Sequence, residues 1–147
     1  MARKILFVCL GNICRSPTAE AVFESLATGA GVDSAGTSGW HINEPPYGPM
    51  QHAAKARGYD MSNLRARQFV AEDFDRVDLI IGMDADNLGA IEALRPLGNT
   101  TPVHLFTDYA DGAGMDHIPD PYYTRDFDGT LDLIELAAEG LAKALAT

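Results

Sequence analysis

A cysteine and an arginine, Cys9 and Arg15, stand at the two ends of a short segment that joins an apolar run to a helix start. Residues 4–10 are continuously apolar after Lys4, which is typical of a strand buried on both faces, and Ser16-Pro17 begins a helix. A loop at such a junction can direct several backbone N–H groups at one point, where the helix adds partial positive charge. The spacing therefore predicts a cradle for a phosphate-like anion, with the sulfur of Cys9 at its floor.

The residue types inside this loop suit that chemistry. Gly11 permits a close approach by a ligand, and Asn12 tolerates the left-handed backbone conformation. Arg15 offers a planar fork that matches two oxygens of a phosphoryl group, and the thiolate of Cys9 would be a nucleophile. The Walker A pattern is lacking, which argues against a nucleotide site. The predicted phosphate-binding residues are Leu10, Gly11, Asn12, Ile13, Cys14 and Arg15.

Strand patterns alternate with helix patterns along the whole chain. The predicted strands cover residues 4–10, 32–35, 77–83 and 103–106. The predicted helices cover residues 16–30, 48–57, about 85–95 after an N-cap at Asp84, and 131–145. This alternation predicts an α/β protein with a single-domain, doubly wound, four-stranded parallel sheet flanked by helices, and such sheets bind ligands beyond the carboxyl ends of their strands. Residues 107–121 lack periodicity, so we expect a functional or disordered loop there.

Composition narrows the classes of function. With 147 residues and 46% apolar content, the chain is long enough for one domain, residues 1–147. The net charge of −10 argues against nucleic acid and anionic membranes as partners. Residues 1–70 nevertheless carry a balance of +2, so an anion site belongs in the first half. Without a membrane span, a leader pattern or zinc-ligand spacing, we expect a cytoplasmic protein with no metal and no cofactor.

Residues 9–17, CLGNICRSP, resemble the phosphate-binding loop of the low-molecular-weight protein tyrosine phosphatases. The resemblance continues in order through residues 33–37 with Trp40, 66–68, 83–84 and 120–123. It implies attack by Cys9 on phosphotyrosine in a protein substrate, a phosphocysteine intermediate and release of inorganic phosphate. It also implies that Asp120, stiffened by a proline on each side, protonates the leaving phenolate and then activates water. We expect a monomer or a weak dimer.

The same resemblance suggests roles for further residues. Ser16 either caps the helix or donates to the Cys9 sulfur, and the resemblance favours the second role; Ser34 would support Asn12. Cys14 is either a packing residue or the partner of Cys9 in a protective disulfide. The family often carries a histidine that braces this asparagine where Leu64 stands, so bracing must come from Ser34 or elsewhere. The predicted walls of a substrate cleft are Ile13, Trp40, Tyr122 and Tyr123.

Three alternative functions stay open at this point. An arsenate reductase of this fold needs cysteines downstream of Cys14, and there are none. A protein arginine phosphatase tends to carry threonine where Ile13 stands, and a branched apolar side chain suits a phenyl ring better. A non-catalytic anion-binding or redox module has no need for the pair Asp120-Pro121. We expect the remaining charged residues of this loop to be solvated, namely Asp108, Asp111, Asp116 and His117.

Overall fold

The computed structural model describes residues 3–146. Its centre is a parallel sheet of four strands in the order β2-β1-β3-β4. The strands are β1 (Lys4–Cys9), β2 (Gly31–Gly36), β3 (Leu79–Gly82) and β4 (Val103–Leu105). The chain leaves β1 towards β2 on one side and returns to β3 on the other, so the carboxyl end of β1 lies at the switch point where such sheets bind ligands. The predicted α/β fold is confirmed.

Six helices accompany the sheet in the described residues. They are α1 (Arg15–Ser25), α2 (Gly48–Lys55), α3 (Asp73–Arg76), α4 (Ala85–Glu92), α5 (Pro121–Thr124) and α6 (Phe127–Leu145), with a short 3-10 helix at Phe106–Tyr109. None of the helices within residues 3–146 has the length and apolar character needed to span a bilayer.

The central strand β1 is buried on both faces, as its continuous apolar sequence predicts. Ile5 and Phe7 belong to the larger core beneath α1 and α6. Leu6 and Val8 face the smaller core around Phe74. Because both faces are packed, β1 holds its last residue, Cys9, in a fixed position for the loop that follows.

The strand predictions lie within two residues of the observed bounds, whereas several helix predictions were wrong in extent. The predicted helix 16–30 ends at Ser25, because Ala27 and Gly29 adopt positive φ angles of 51° and 84°. The predicted helix to about residue 95 ends at Glu92, and the one to residue 57 ends at Lys55.

The C-terminal helix and two short helices also differ from the prediction. Helix α6 begins at Phe127 rather than residue 131, because the side chain of Asp126 caps it by accepting from the Gly129 N–H. Helix α3 has only four residues and no periodicity that a sequence could reveal. Residues 107–121 are not one irregular loop, since the 3-10 helix occupies their start and α5 begins at Pro121.

Candidate active site

The loop between β1 and α1 curls around the sulfur of Cys9. The backbone N–H of Asn12 donates to Cys9 Sγ at 3.3 Å, and Ser16 Oγ lies 3.0 Å from the same sulfur. Asn12 has a φ of 57°, the left-handed conformation that asparagine tolerates better than most residues. Gly11 lies under the ring of His41, and a Cβ at Gly11 would stand 3.2 Å from His41 Cδ2. A larger residue at this turn would therefore press against the ring.

Asn12 is braced through its side chain. Its Nδ2 donates to Ser16 Oγ at 2.7 Å and to Ser34 Oγ at 3.0 Å. Its Oδ1 accepts from the backbone N–H of Arg67 at 3.1 Å. These contacts supply the bracing in a chain that has Leu64 where the family often has histidine. Arg67 was not predicted to take part, since a backbone donor leaves no trace in the sequence.

The guanidinium of Arg15 is anchored on the opposite side of the loop. Arg15 is 2% exposed, and its Nη1 donates to Asp84 Oδ2 at 2.8 Å and to the Ile118 carbonyl at 2.9 Å. Burial disfavours the cation, but Cys9, Asp84 and Asp120 outweigh it and raise the pKa of the Arg15 guanidinium. Arg15 therefore presents a permanent positive charge at the floor of the cleft.

Asp84 has two roles, of which only one was predicted. Its Oδ1 caps α4 by accepting from the Asn87 N–H at 2.7 Å, as expected. Its Oδ2 holds Arg15. The signal for this second contact was available, because Asp84 follows β3 and Cys9 ends β1, and the carboxyl ends of neighbouring parallel strands meet at one edge of the sheet.

Asp120 reaches the same cleft from the start of α5. Its Oδ1 accepts from the Tyr122 N–H at 3.1 Å, and its Oδ2 lies 3.6 Å from Arg15 Nη2. One carboxyl oxygen is thus fixed by the helix start while the other faces the cation. Asp116 and His117 pair with each other at an exposed position and do not line the cleft, as expected.

Aromatic side chains form the outer walls of a cleft of about 160 Å³. Trp40 is 70% exposed, Tyr123 69% and Tyr122 41%, and the ring of Tyr47 packs 5.1 Å from that of Tyr122. Asn12, Ser16 and Ser34 do not line the cleft, and their side chains are joined by hydrogen bonds. The residues that line the cleft are Cys9, Leu10, Gly11, Ile13, Cys14, Arg15, Trp40, His41, Asp120, Tyr122 and Tyr123. Of these, only His41 was not predicted.

Cys14 is a buried free thiol in the wall of this cleft. Burial raises its pKa strongly, and the negative charges of Asp120 and Cys9 raise it further. Cys14 is therefore a neutral thiol at physiological pH. Within residues 3–146 no group of three or more His, Cys, Asp or Glu side chains is arranged to hold a metal ion.

The parallel sheet defines an α/β protein, and the loop at its switch point holds the cysteine and the buried arginine that were predicted for a phosphatase. A family model for low molecular weight phosphotyrosine protein phosphatases matches residues 4–147. The Bacillus subtilis low molecular weight protein-tyrosine-phosphatase YfkJ is 40% identical over 147 residues, which cover 96% of this chain and 94% of YfkJ. The chain thus belongs to the low molecular weight phosphotyrosine protein phosphatase family, a family of hydrolases.

Solved structures agree with this assignment. The crystal structure of YfkJ from Bacillus subtilis matches with a TM-score of 0.94 and 38% identity, covering 99% of this chain and 96% of that one. The structure of Vibrio vulnificus Wzb in complex with benzylphosphonate matches with a TM-score of 0.86 and 32% identity, covering 98% of this chain and 99% of that one.

Proposed function

We propose that this phosphatase hydrolyses phosphotyrosine in proteins, and small aryl phosphates, through a phosphocysteine on Cys9. One observation carries the proposal: the sulfur of Cys9, the guanidinium of Arg15 and the carboxyl of Asp120 line one cleft with aromatic walls. A nucleophile, an anion-binding cation and a proton donor are the three groups that this hydrolysis requires.

In the first step, the Cys9 thiolate attacks phosphorus while Arg15 and the loop amides hold the equatorial oxygens. The S–P bond forms and the bond from phosphorus to the phenolic oxygen breaks. Asp120 gives its proton to that oxygen, so tyrosine leaves as a neutral phenol. Pairing of Arg15 with Asp84 keeps the guanidinium in place.

In the second step, Asp120 is a carboxylate and takes a proton from water as the water oxygen attacks phosphorus. The S–P bond breaks, inorganic phosphate is released, and Cys9 leaves as a thiolate. Ser16 Oγ, 3.0 Å from the sulfur, stabilises the thiolate that forms by donating a hydrogen bond to it. Because Asp120 must begin protonated while Cys9 is ionised, we expect a bell-shaped rate profile on the acid side of neutrality.

The aromatic walls favour an aryl ester over the alternatives. Trp40, Tyr122 and the loop residue Ile13 all line the cleft. Flat rings suit a phenyl group, as in benzylphosphonate, the ligand named for Wzb. The apolar side chain of Ile13 offers no hydrogen bond to a phosphoarginine guanidinium. An arsenate reductase would need a further cysteine, and the sequence has only two.

The test is hydrolysis of p-nitrophenyl phosphate at about pH 5.5, with chelator present. We expect Cys9→Ser to abolish turnover and Asp120→Asn to lower kcat about 10² to 10⁴-fold. Asp116→Asn, an exposed acid nearby, is the matched control and should match the parent. Turnover by Cys9→Ser, or loss of parent activity in the chelator, would refute the proposal. Trapping of phosphotyrosine proteins by Asp120→Ala would identify the substrate class.

We further propose that Cys14 protects Cys9 from irreversible oxidation. Peroxide would convert the Cys9 thiolate to a sulfenic acid, and the Cys14 thiol would then form a disulfide with it and release water. Cys9 reacts first because Cys14 remains a neutral thiol. Peroxide-treated parent should recover activity with dithiothreitol, whereas Cys14→Ser should not; equal recovery would contradict this role.

The proposal extends to the location, the oligomeric state and the partners of the enzyme. We expect it to act in the cytoplasm as a monomer or a weak dimer, with phosphoprotein substrates and without nucleic acid or membrane as partners. The net charge of −10 supports the expectation that nucleic acid and anionic membranes are not partners. Size-exclusion chromatography across a concentration series tests the oligomeric state.

A further inference from the structure

Glu20 is a buried carboxyl that the proposed reaction does not use. It lies on the inner face of α1 and is 8% exposed. Its Oε1 accepts a hydrogen bond from the Ser34 hydroxyl at 2.6 Å. Buried glutamates are uncommon because removing a carboxyl from water is costly. A glutamate retained behind the phosphate-binding loop therefore calls for a physical explanation.

The hydrogen bonds beyond Ser34 have fixed directions. The backbone N–H of Arg67 can only donate, so it selects Oδ1 of Asn12 as its acceptor and turns Nδ2 towards the two serines. Both protons of Nδ2 are then used, one on Ser34 Oγ and one on Ser16 Oγ.

Each serine hydroxyl has one proton to donate, and each already accepts from Asn12. The Ser34 hydroxyl donates its hydrogen bond to Glu20 Oε1. Ser16 has Cys9 Sγ at 3.0 Å and the Ala35 carbonyl at 3.4 Å, so the sulfur is its nearer acceptor. The chain of hydrogen bonds therefore begins at the Glu20 carboxyl and ends at the nucleophile.

The charges around Glu20 come from β2, from α1 and from the loop that carries Arg67. Burial raises its pKa to about 7, with Asp33 on β2 and Glu24 on α1 raising it and the Ser34 hydrogen bond and Arg67 lowering it. Arg67 lowers the pKa of Glu20 only in part, because its guanidinium is shared between Asp33 and Asp73. Glu20 therefore changes charge within the pH range in which cells work.

We propose that Glu20 is a positioning residue: by accepting the Ser34 hydroxyl proton, it fixes the direction of the hydrogen bonds that end on the Cys9 sulfur. This inference rests on the proposed function. Without an acceptor at Glu20, the Ser34 proton is free to turn towards Asn12 Nδ2, which can only donate, and that contact becomes repulsive. A carboxylate holds the proton more firmly than a neutral acid, because hydrogen bonds to charged groups are stronger.

The experiment compares kcat of parent, Glu20→Gln and Glu20→Leu on p-nitrophenyl phosphate at about pH 5.5 and about pH 8. The amide oxygen of Gln keeps an acceptor but cannot ionise, so parent and Glu20→Gln should agree at the lower pH. At the higher pH, the kcat of the parent should be about fivefold higher than that of Glu20→Gln. Glu20→Leu removes the acceptor, so its kcat should be about tenfold below that of the parent at both pH values. KM should not change, since Glu20 does not line the cleft.

Glu24→Gln is the matched control, because Glu24 is an exposed acid one turn further along α1. It removes the same charge without touching the hydrogen-bond chain, and its kcat should follow the parent at both pH values. Circular dichroism establishes that each variant is folded.

Three results would overturn the inference. The first is a ratio of parental kcat to Glu20→Gln kcat that does not change with pH. The second is a folded Glu20→Leu variant with the kcat of the parent. The third is a Glu24→Gln variant whose kcat changes with pH as that of Glu20→Gln does. An active parent with any of these results refutes only the role of Glu20. An inactive parent refutes the proposed function and this inference together.

Discussion

Ionisation of Glu20 should destabilise the fold, and Glu20→Gln should remove this dependence on pH. The native pKa is about 7 against an ordinary value of 4.5. The folded state thus binds the proton more tightly than the unfolded state. Its contribution to the free energy of unfolding is complete below about pH 4.5 and is lost as the pH rises through about 7.

The size of the effect follows from that difference. A rise of about 2.5 units in pKa, at about 1.36 kcal/mol per unit, sets an upper bound of about 3 kcal/mol. Glu20 keeps some contact with solvent, which screens its charge, so about 2 kcal/mol is the expected value. This is a large share of the stability of a single domain.

The assay is urea unfolding of parent and Glu20→Gln at about pH 5 and about pH 8, with the slope m compared to establish two-state behaviour. The free energy of unfolding of Glu20→Gln, relative to the parent, should increase by about 2 kcal/mol between the two conditions. Other ionisations cancel in this difference. The exposed control Glu24→Gln should show little change. A difference independent of pH, or one that falls as pH rises, would refute the reasoning.

Three further substitutions test other contacts of the site, and a fourth, Gly89→Ala, is the control for Gly36→Ala. Asp84→Asn keeps the cap of α4 but removes the charged partner of Arg15, so kcat/KM should fall about tenfold while Tm changes little; unchanged kinetics would contradict the anchoring role. Gly36→Ala places a Cβ 2.9 Å from a carbonyl of the phosphate-binding loop and should cost about 1 to 3 kcal/mol in urea unfolding and lower kcat. Gly89→Ala has open space in α4 and should instead stabilise by up to about 1 kcal/mol. Trp40→Ala should raise KM for aryl phosphates about tenfold without changing that for an alkyl phosphate, and an equal effect on both would exclude a wall role.

The fold and the position of the loop between β1 and α1 were predictable because each has a local cause. The continuous apolar run of β1 requires burial on both faces, and this places Cys9 at the centre of the sheet. The left-handed conformation of Asn12 follows from the few residue types that tolerate it. These inferences need only neighbouring residues, so one sequence is enough for them.

Contacts between distant elements were harder to predict. Asp84 had an adequate local explanation as an N-cap, which concealed its contact with Arg15 from another strand. Glu20 lies on a helix, where a glutamate is usually solvated, and only the packing of α1 against β2 buries it. His41 lies in an irregular segment, and its position over Gly11 depends on the path of that segment. In each case, side chains that are far apart in sequence set the position.

The site is held by two independent anchors that meet at the loop. On one side, Asp84 and the Ile118 carbonyl fix Arg15, the proposed ligand of the phosphoryl oxygens. On the other side, Ser34 and Glu20 fix the hydrogen bonds that reach Cys9. The first anchor is a permanent ion pair, whereas the second ends at a carboxyl whose ionisation strengthens its hydrogen bond at a cost in stability. The ion pair of Arg15 with Asp84 should therefore make phosphoryl binding vary little with pH. Stabilisation of the departing thiolate should instead depend on the charge of Glu20, which lies outside the cleft.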